Sequence, residues 1–164
     1  MNEALIPNAH KYADQNQLVL TESLGSGKDG IVLAAKRKSQ AASLAIKVLR
    51  FAETWDRERQ AYERLGANGV ETILGFNVPR LIGVDSGLLI LEMTVVTRPF
   101  VLDFAAAYLD QRPEFPEEVW TQWETDKREK FEELWPQVQA ILRAFEELGI
   151  YLLDVSPANI AFRV

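Results

Sequence analysis

The amino-acid sequence predicts an α+β fold: a five-stranded antiparallel sheet with one helix against it, then a shorter, mostly helical half. Three observations carry this. Short apolar runs bounded by turn residues recur through residues 18–94, as strands require. Two of those runs flank three glycines in Leu24-Gly25-Ser26-Gly27-Lys28-Asp29-Gly30-Ile31-Val32, a strand–turn–strand pattern. Beyond Pro99 the apolar spacing changes to three and four, the helical period.

Residues 1–17 are polar, interrupted by Pro7, and expected to form a loose lead-in. Leu18–Gly25, Asp29–Lys38 and Leu44–Arg50 read as an antiparallel meander, turning at the glycines and at Ser39–Ser43. Ala52–Leu65 has helical spacing, with Trp55, Ala61, Tyr62 and Leu65 on one face and Glu58 inside that stripe. Asn77–Val84 and Gly87–Met93, joined by Asp85-Ser86, supply the fourth and fifth strands. The near-continuous apolar run of the fifth predicts burial on both faces. Residues 95–99 read as a hinge between one unit, 18–94, and a second, 100–164, where strand period gives way to helix period.

In the second unit, Phe100–Leu109 reads as a short apolar helix. Arg112–Lys130 is highly charged, with turns at Pro113 and Pro116 and with Trp120 and Trp123 on one side. Phe131, Leu134, Trp135, Val138, Ile141, Leu142, Phe145 and Leu148 form a long stripe, in which Pro136 kinks a helix or begins a new one. Gly149 is its C-terminal cap. The apolar strand Tyr151–Leu153 runs into Asp154, and Asn159 precedes another apolar strand.

Composition narrows the function classes. With 48% hydrophobic residues among 164, there is apolar material for a real core. A net charge of −6 argues against nucleic acid as a partner. The absence of Cys removes thiolate chemistry and disulfides. No run reaches the roughly 18 apolar residues that span a bilayer, so no membrane partner is expected. The start, Met1–Pro7, lacks a basic n-region and a long apolar run, which points to the cytoplasm.

The glycine spacing fits a phosphate-covering loop only in certain contexts. A dinucleotide fold needs a helix after the glycines, and here a strand follows. A Walker A loop needs glycine at position 22 and Ser or Thr at 29; the chain has Glu22 and Asp29. A strand–glycine loop–strand arrangement instead requires a lysine on the next strand, and Lys47 stands there. Alternation puts Lys47 on the face of Ala45 and Leu49, where it need not be buried. Glu58, on the apolar face of its helix, does need a partner, since an unpaired buried carboxylate costs several kcal/mol. Lys47 is the nearest candidate. Around Pro157, Asp154 and Asn159 suit a local Asx turn as well as they suit catalysis.

Together these motifs resemble the protein-kinase-like fold, over roughly residues 18–164. Gly25, Gly27, Gly30 and Val32 match the glycine-rich loop, and Ala45-Ile46-Lys47 matches the strand carrying the phosphate-binding lysine. Glu58 falls at the helix C glutamate. Leu91-Glu92-Met93 resembles the strand entering the hinge, and Asp154…Asn159 matches D-x-x-x-x-N. The resemblance implies ATP and Mg²⁺ as cofactors. Gly25–Val32 would cover the phosphates, Lys47 held by Glu58 would bind them, and Ala45 and the backbone near Glu92 and Thr94 would meet adenine. Asp154 would accept the proton of an acceptor hydroxyl, and Asn159 would hold a metal.

Departures accompany the match. Leu152-Leu153 replaces the usual His-Arg, and Ser156 replaces the usual lysine. Asp-Val-Ser-Pro-Ala-Asn is closer to the loop of RIO-type and other atypical kinases. The Asp-Phe-Gly metal motif is expected beyond Val164, leaving an abbreviated, partial helical lobe that ends just after the catalytic loop. Transfer to a hydroxyl would then be weak or absent. The alternatives are a pseudokinase-like interaction module and a small-molecule kinase of the aminoglycoside or fructosamine sort. The expected partners are nucleotide and a protein or small-molecule acceptor. A homodimer through the apolar helix 131–148 is a further expectation.

Overall fold

A computed structural model of the chain describes residues 2–163. Helix α1 (Ile6–Gln15) leads into β1 (Leu18–Ser26), β2 (Gly30–Arg37) and β3 (Ser43–Leu49), followed by helix α2 (Ala52–Ala67). Two-residue strands β4 (Thr72–Ile73) and β5 (Phe76–Asn77) precede β6 (Leu81–Asp85) and β7 (Ile90–Thr94). The main sheet is five-stranded and antiparallel throughout, in the order β1-β2-β3-β7-β6. The second half holds β8 (Phe100–Val101), β9 (Tyr108–Leu109), α3 (Glu117–Phe131), α4 (Trp135–Glu147), β10 (Ile150–Tyr151) and β11 (Ile160–Ala161). A small sheet, β11-β8-β5-β4, links this half to the loop before β6, and β9 pairs with β10.

Both faces of the main sheet are covered, which is why β3 and β7 are buried almost end to end. Behind the sheet, Leu5, Ala9, Tyr12 and Ala13 pack against Leu18, Ile31, Ala35, Leu44, Ile46, Val48 and Ile90. In front, Ala45, Leu49, Leu91 and Met93 share a larger core with Trp55, Ala61, Tyr62 and Leu65 of α2. That same core includes Phe104, Trp135, Val138, Ile141, Phe145, Ile150, Val155 and Ile160. Residues 95–99 therefore join two strands, β7 and β8, while the core runs continuously past them.

Several expectations change here. Residues 1–17 are not a loose lead-in. Pro7 lies in the first turn of α1, where its missing N–H is no loss, and Ala9, Tyr12 and Ala13 bury one helical face. Phe100–Leu109 is not a helix. Its ends are strands, Ile160 and Ala161 pair with Val101 and Phe100, and a left-handed φ of 69° at Asp103 would break a helix. The fourth strand begins at Leu81, with Phe76–Asn77 given to β5, and the fifth begins at Ile90 after a turn over residues 86–89.

Pro136 begins a new helix, α4, rather than kinking a long one. Gly149 follows that helix at φ 75°, in the left-handed region. A Cβ there would meet the Arg64 Nη1 atom at 2.7 Å and Asp110 Oδ1 at 2.8 Å. Trp135, Val138, Ile141 and Phe145 face the chain's own core, so the stripe expected to drive self-association is largely spent internally.

Candidate functional site

A cavity of about 600 Å³ opens between the β1–β2 turn, the front of β3 and β7, and the loop at 154–159. Gly25, Gly27, Gly30, Val32, Ala45, Lys47, Glu58, Thr94, Asp154 and Asn159 all line it. These residues come from five separate stretches of the chain. Their convergence is set by the sheet: β2 and β3 pair without interruption from Gly30↔Leu49 to Lys36↔Ser43, which puts Val32 directly opposite Lys47.

The glycines differ in what they do. The Gly27 N–H donates to the Gly30 carbonyl at 2.9 Å and closes the turn. None of the three has a left-handed φ. A Cβ at Gly30 would sit 2.0 Å from the Val48 carbonyl oxygen, so this glycine is required by the approach of β2 to β3. At Gly25 and Gly27 a Cβ would meet nothing within 4 Å. Their small size serves no internal contact.

Lys47 lies between two carboxylates. Its Nζ donates to Glu58 Oε1 at 2.8 Å and to Asp103 Oδ1 at 3.4 Å. Burial pulls the lysine down, but Glu58 and Asp103 outweigh it and hold the ammonium above the ordinary lysine range. Glu58 is fully buried. Burial raises its carboxyl, with Lys47 as the main opposing influence. The Phe104 N–H donates to Glu58 Oε1 at 3.3 Å, and Glu58 Oε2 has no hydrogen-bond partner. Alternation alone left the burial of Lys47 open; it is buried, because α2 and the turn at Asp103 close over that face.

The 154–159 loop is held from three sides. The Asn159 side-chain amide donates to the Asp154 carbonyl at 3.2 Å, and the Asn159 and Ile160 N–H groups donate to the Ser156 carbonyl. The Leu102 N–H donates to the Asn159 carbonyl at 2.8 Å, joining the loop to the segment between β8 and Asp103. The Trp123 indole N–H donates to the Leu153 carbonyl at 3.1 Å. The loop is thus closed by the Asn159 amide on the Asp154 carbonyl rather than by an Asx turn, and Asp154 and Asn159 both line the cavity.

Of the two residues expected at the end of the fifth strand, Thr94 lines the cavity and Glu92 does not. Glu92 does not line the cavity: its carboxylate turns behind the sheet, accepts a bond from the Tyr12 hydroxyl at 2.8 Å and pairs with Arg37. Burial and that bond raise the Tyr12 phenol well above its usual value. Thr94 lines the cavity, yet its N–H donates to the Arg80 carbonyl and its hydroxyl accepts from the Arg80 N–H.

Asp103 is the site residue that the sequence reading missed. It lines the cavity beside Lys47, fixed by the Ala105 N–H donating to its Oδ1 at 3.2 Å. The signal was visible as an apolar run, Phe100-Val101-Leu102, ending in Asp103-Phe104. Those are the first two residues of the Asp-Phe-Gly pattern, but they stand upstream of Asp154 instead of downstream of Asn159. Among the described residues, no three His, Asp or Glu side chains cluster closely enough to hold a metal ion by themselves. No helix among them is long and apolar enough to cross a membrane. Neither the protein-family models nor the curated proteins include a match to this chain.

Proposed function

We propose that the chain binds ATP with Mg²⁺ and transfers its terminal phosphoryl group to a hydroxyl, on a protein-kinase-like fold with a rearranged order of parts. The observation that carries this reading is the convergence of Lys47, Glu58, Asp103, Asp154 and Asn159 on one cavity beneath a glycine turn. In this order the strand and Asp-Phe pair come before the catalytic loop, and β8 still lies beside β11.

The donor set fits Mg²⁺, which keeps waters and takes one or two carboxylates plus substrate phosphates rather than an all-protein cage. Asp103, with 26% of its side chain exposed, and the amide oxygen of Asn159 are the groups that would hold it. Bound there, the ion would neutralise phosphate charge. Open space above Gly25 and Gly27 lets phosphates approach the main chain. Lys47, kept cationic by two carboxylates, binds phosphate oxygens. Val32, Ala45 and Met93 offer an apolar wall for a base. The acceptor oxygen bonds to phosphorus, the bridging P–O bond breaks with its electrons leaving on ADP, and Asp154 takes the hydroxyl proton. An interaction-module reading drew its support from a lacking metal carboxylate, a role Asp103 would fill.

Calorimetric titration with ATP, with and without Mg²⁺, tests this on wild type and Asp103→Asn. Mg²⁺ should tighten wild-type binding, and the variant should bind ATP without that gain. Absence of binding at millimolar ATP refutes the proposal.

A further inference from the structure

We propose that Arg50 is a positioning residue for the phosphates of ATP: it holds the glycine turn in the orientation that admits them. The inference rests on the nucleotide reading above and adds a residue that lies outside the cavity lining. Pairing of β2 with β3 begins at Gly30↔Leu49, so the residues just beyond, Asp29 and Arg50, also stand side by side. The Arg50 N–H donates to the Asp29 carbonyl at 2.9 Å and extends the ladder by one step. Its side chain reaches one residue further, and the Nε–H donates to the Lys28 carbonyl at 3.0 Å. Two successive carbonyls of the turn are therefore held by one residue.

The charge of a phosphate gives this grip its consequence. Main-chain N–H groups attract an anion, and carbonyl oxygens repel it. In a trans peptide the N–H and C=O point to opposite sides. With the Lys28 oxygen turned to Arg50, the Asp29 N–H is turned away from Arg50, and Lys28 and Asp29 both line the cavity. A flip of that peptide would put a carbonyl oxygen where the N–H now stands. Glycine on either side, Gly27 and Gly30, makes backbone rotation there easy. The bond from the Gly27 N–H to the Gly30 carbonyl closes the turn but does not engage the peptide between Lys28 and Asp29. Arg50 does engage it. It also stands between the end of β3, which carries Lys47, and the start of α2, which carries Glu58. The turn is thereby set from the same frame that places the lysine.

The test compares wild type with Arg50→Gln, Arg50→Met and Arg50→Lys in calorimetric titrations with Mg·ATP and with adenosine. Glutamine places an amide N–H where arginine has Nε, without the charge; lysine keeps the charge without a donor at that position. Arg50→Met and Arg50→Lys should bind ATP about fivefold more weakly, the equilibrium worth of an ordinary hydrogen bond. Arg50→Gln should stay within about twofold of wild type. Adenosine has no phosphates for the turn to meet, so its affinity should be alike in all four proteins. Full ATP affinity in Arg50→Met overturns the inference. So does affinity that follows charge, kept in Arg50→Lys and lost in Arg50→Gln, and so does a loss shared equally by ATP and adenosine. A wild type that binds no ATP refutes the parent proposal instead.

Discussion

Replacing Lys47 by methionine should destabilise the fold far more than loss of a surface lysine would. The ammonium is 2.8 Å from a carboxylate that is 0% exposed and whose second oxygen is already without a partner. Breaking such a pair from one side costs about 3–5 kcal/mol, because a buried charge is left uncompensated. For a chain of this length each kcal/mol moves the melting temperature by about 2–4 °C, so Lys47→Met should melt about 6–20 °C lower. The double variant Lys47→Met/Glu58→Leu should recover most of that, since a buried pair exchanged for apolar groups is often neutral. The loss should also depend on pH. Glu58 already has a raised folded-state carboxyl value, and removing Lys47 raises it further. A raised group contributes stability below its unfolded value, about 4.3 for Glu, and loses it as pH rises through the folded value. The gap between wild type and Lys47→Met should therefore be small near pH 4 and widen toward neutrality. Thermal and denaturant unfolding by circular dichroism would measure it. A deficit under about 1 kcal/mol, a double variant as unstable as the single, or a gap independent of pH would refute the reasoning.

Two further outcomes separate fold from site. Gly30→Ala should cost about 1–3 kcal/mol or more through the clash with the Val48 carbonyl, while Gly25→Ala and Gly27→Ala stay within about 0.5 kcal/mol in unfolding and bind ATP more weakly by calorimetry. Tyr12→Phe removes one bond to the buried Glu92 carboxylate, which is about 1.5–3 kcal/mol for a charged acceptor. Its melting temperature should fall with ATP affinity unchanged, because that bond lies behind the sheet.

Local periodicity made the meander and α2 legible, and a single misplaced charge made the Lys47–Glu58 pair legible: Glu58 inside an apolar stripe demanded a cation, and Lys47 was close in the chain. The failures share a cause in tertiary context. Pro7 reads as an interruption until its place in the first turn of a helix is known. A ten-residue apolar run such as Phe100–Leu109 has too few turns for its period to separate helix from strand; here pairing of its ends with Ile160, Ala161, Ile150 and Tyr151 decides. The direction of the Glu92 carboxylate is not legible locally, because its partners, Tyr12 and Arg37, lie far along the chain. Asp103 meets Lys47 only after β8 pairs with β11, a contact no local pattern encodes.

Phe104, the residue after Asp103, is fully buried, edge-on to Tyr62 with centroids 4.9 Å apart and tilted against Phe145 at 5.6 Å. Its backbone N–H is also held by Glu58. The backbone at Asp103 is therefore anchored beside the core that α2 and α4 share. Where a cation-binding carboxylate sits on a movable arm, an enzyme can be turned off by displacing the arm. Here the backbone that carries the carboxylate adjoins a ring locked in the core. The position of this backbone is thus set by the folding of the core itself.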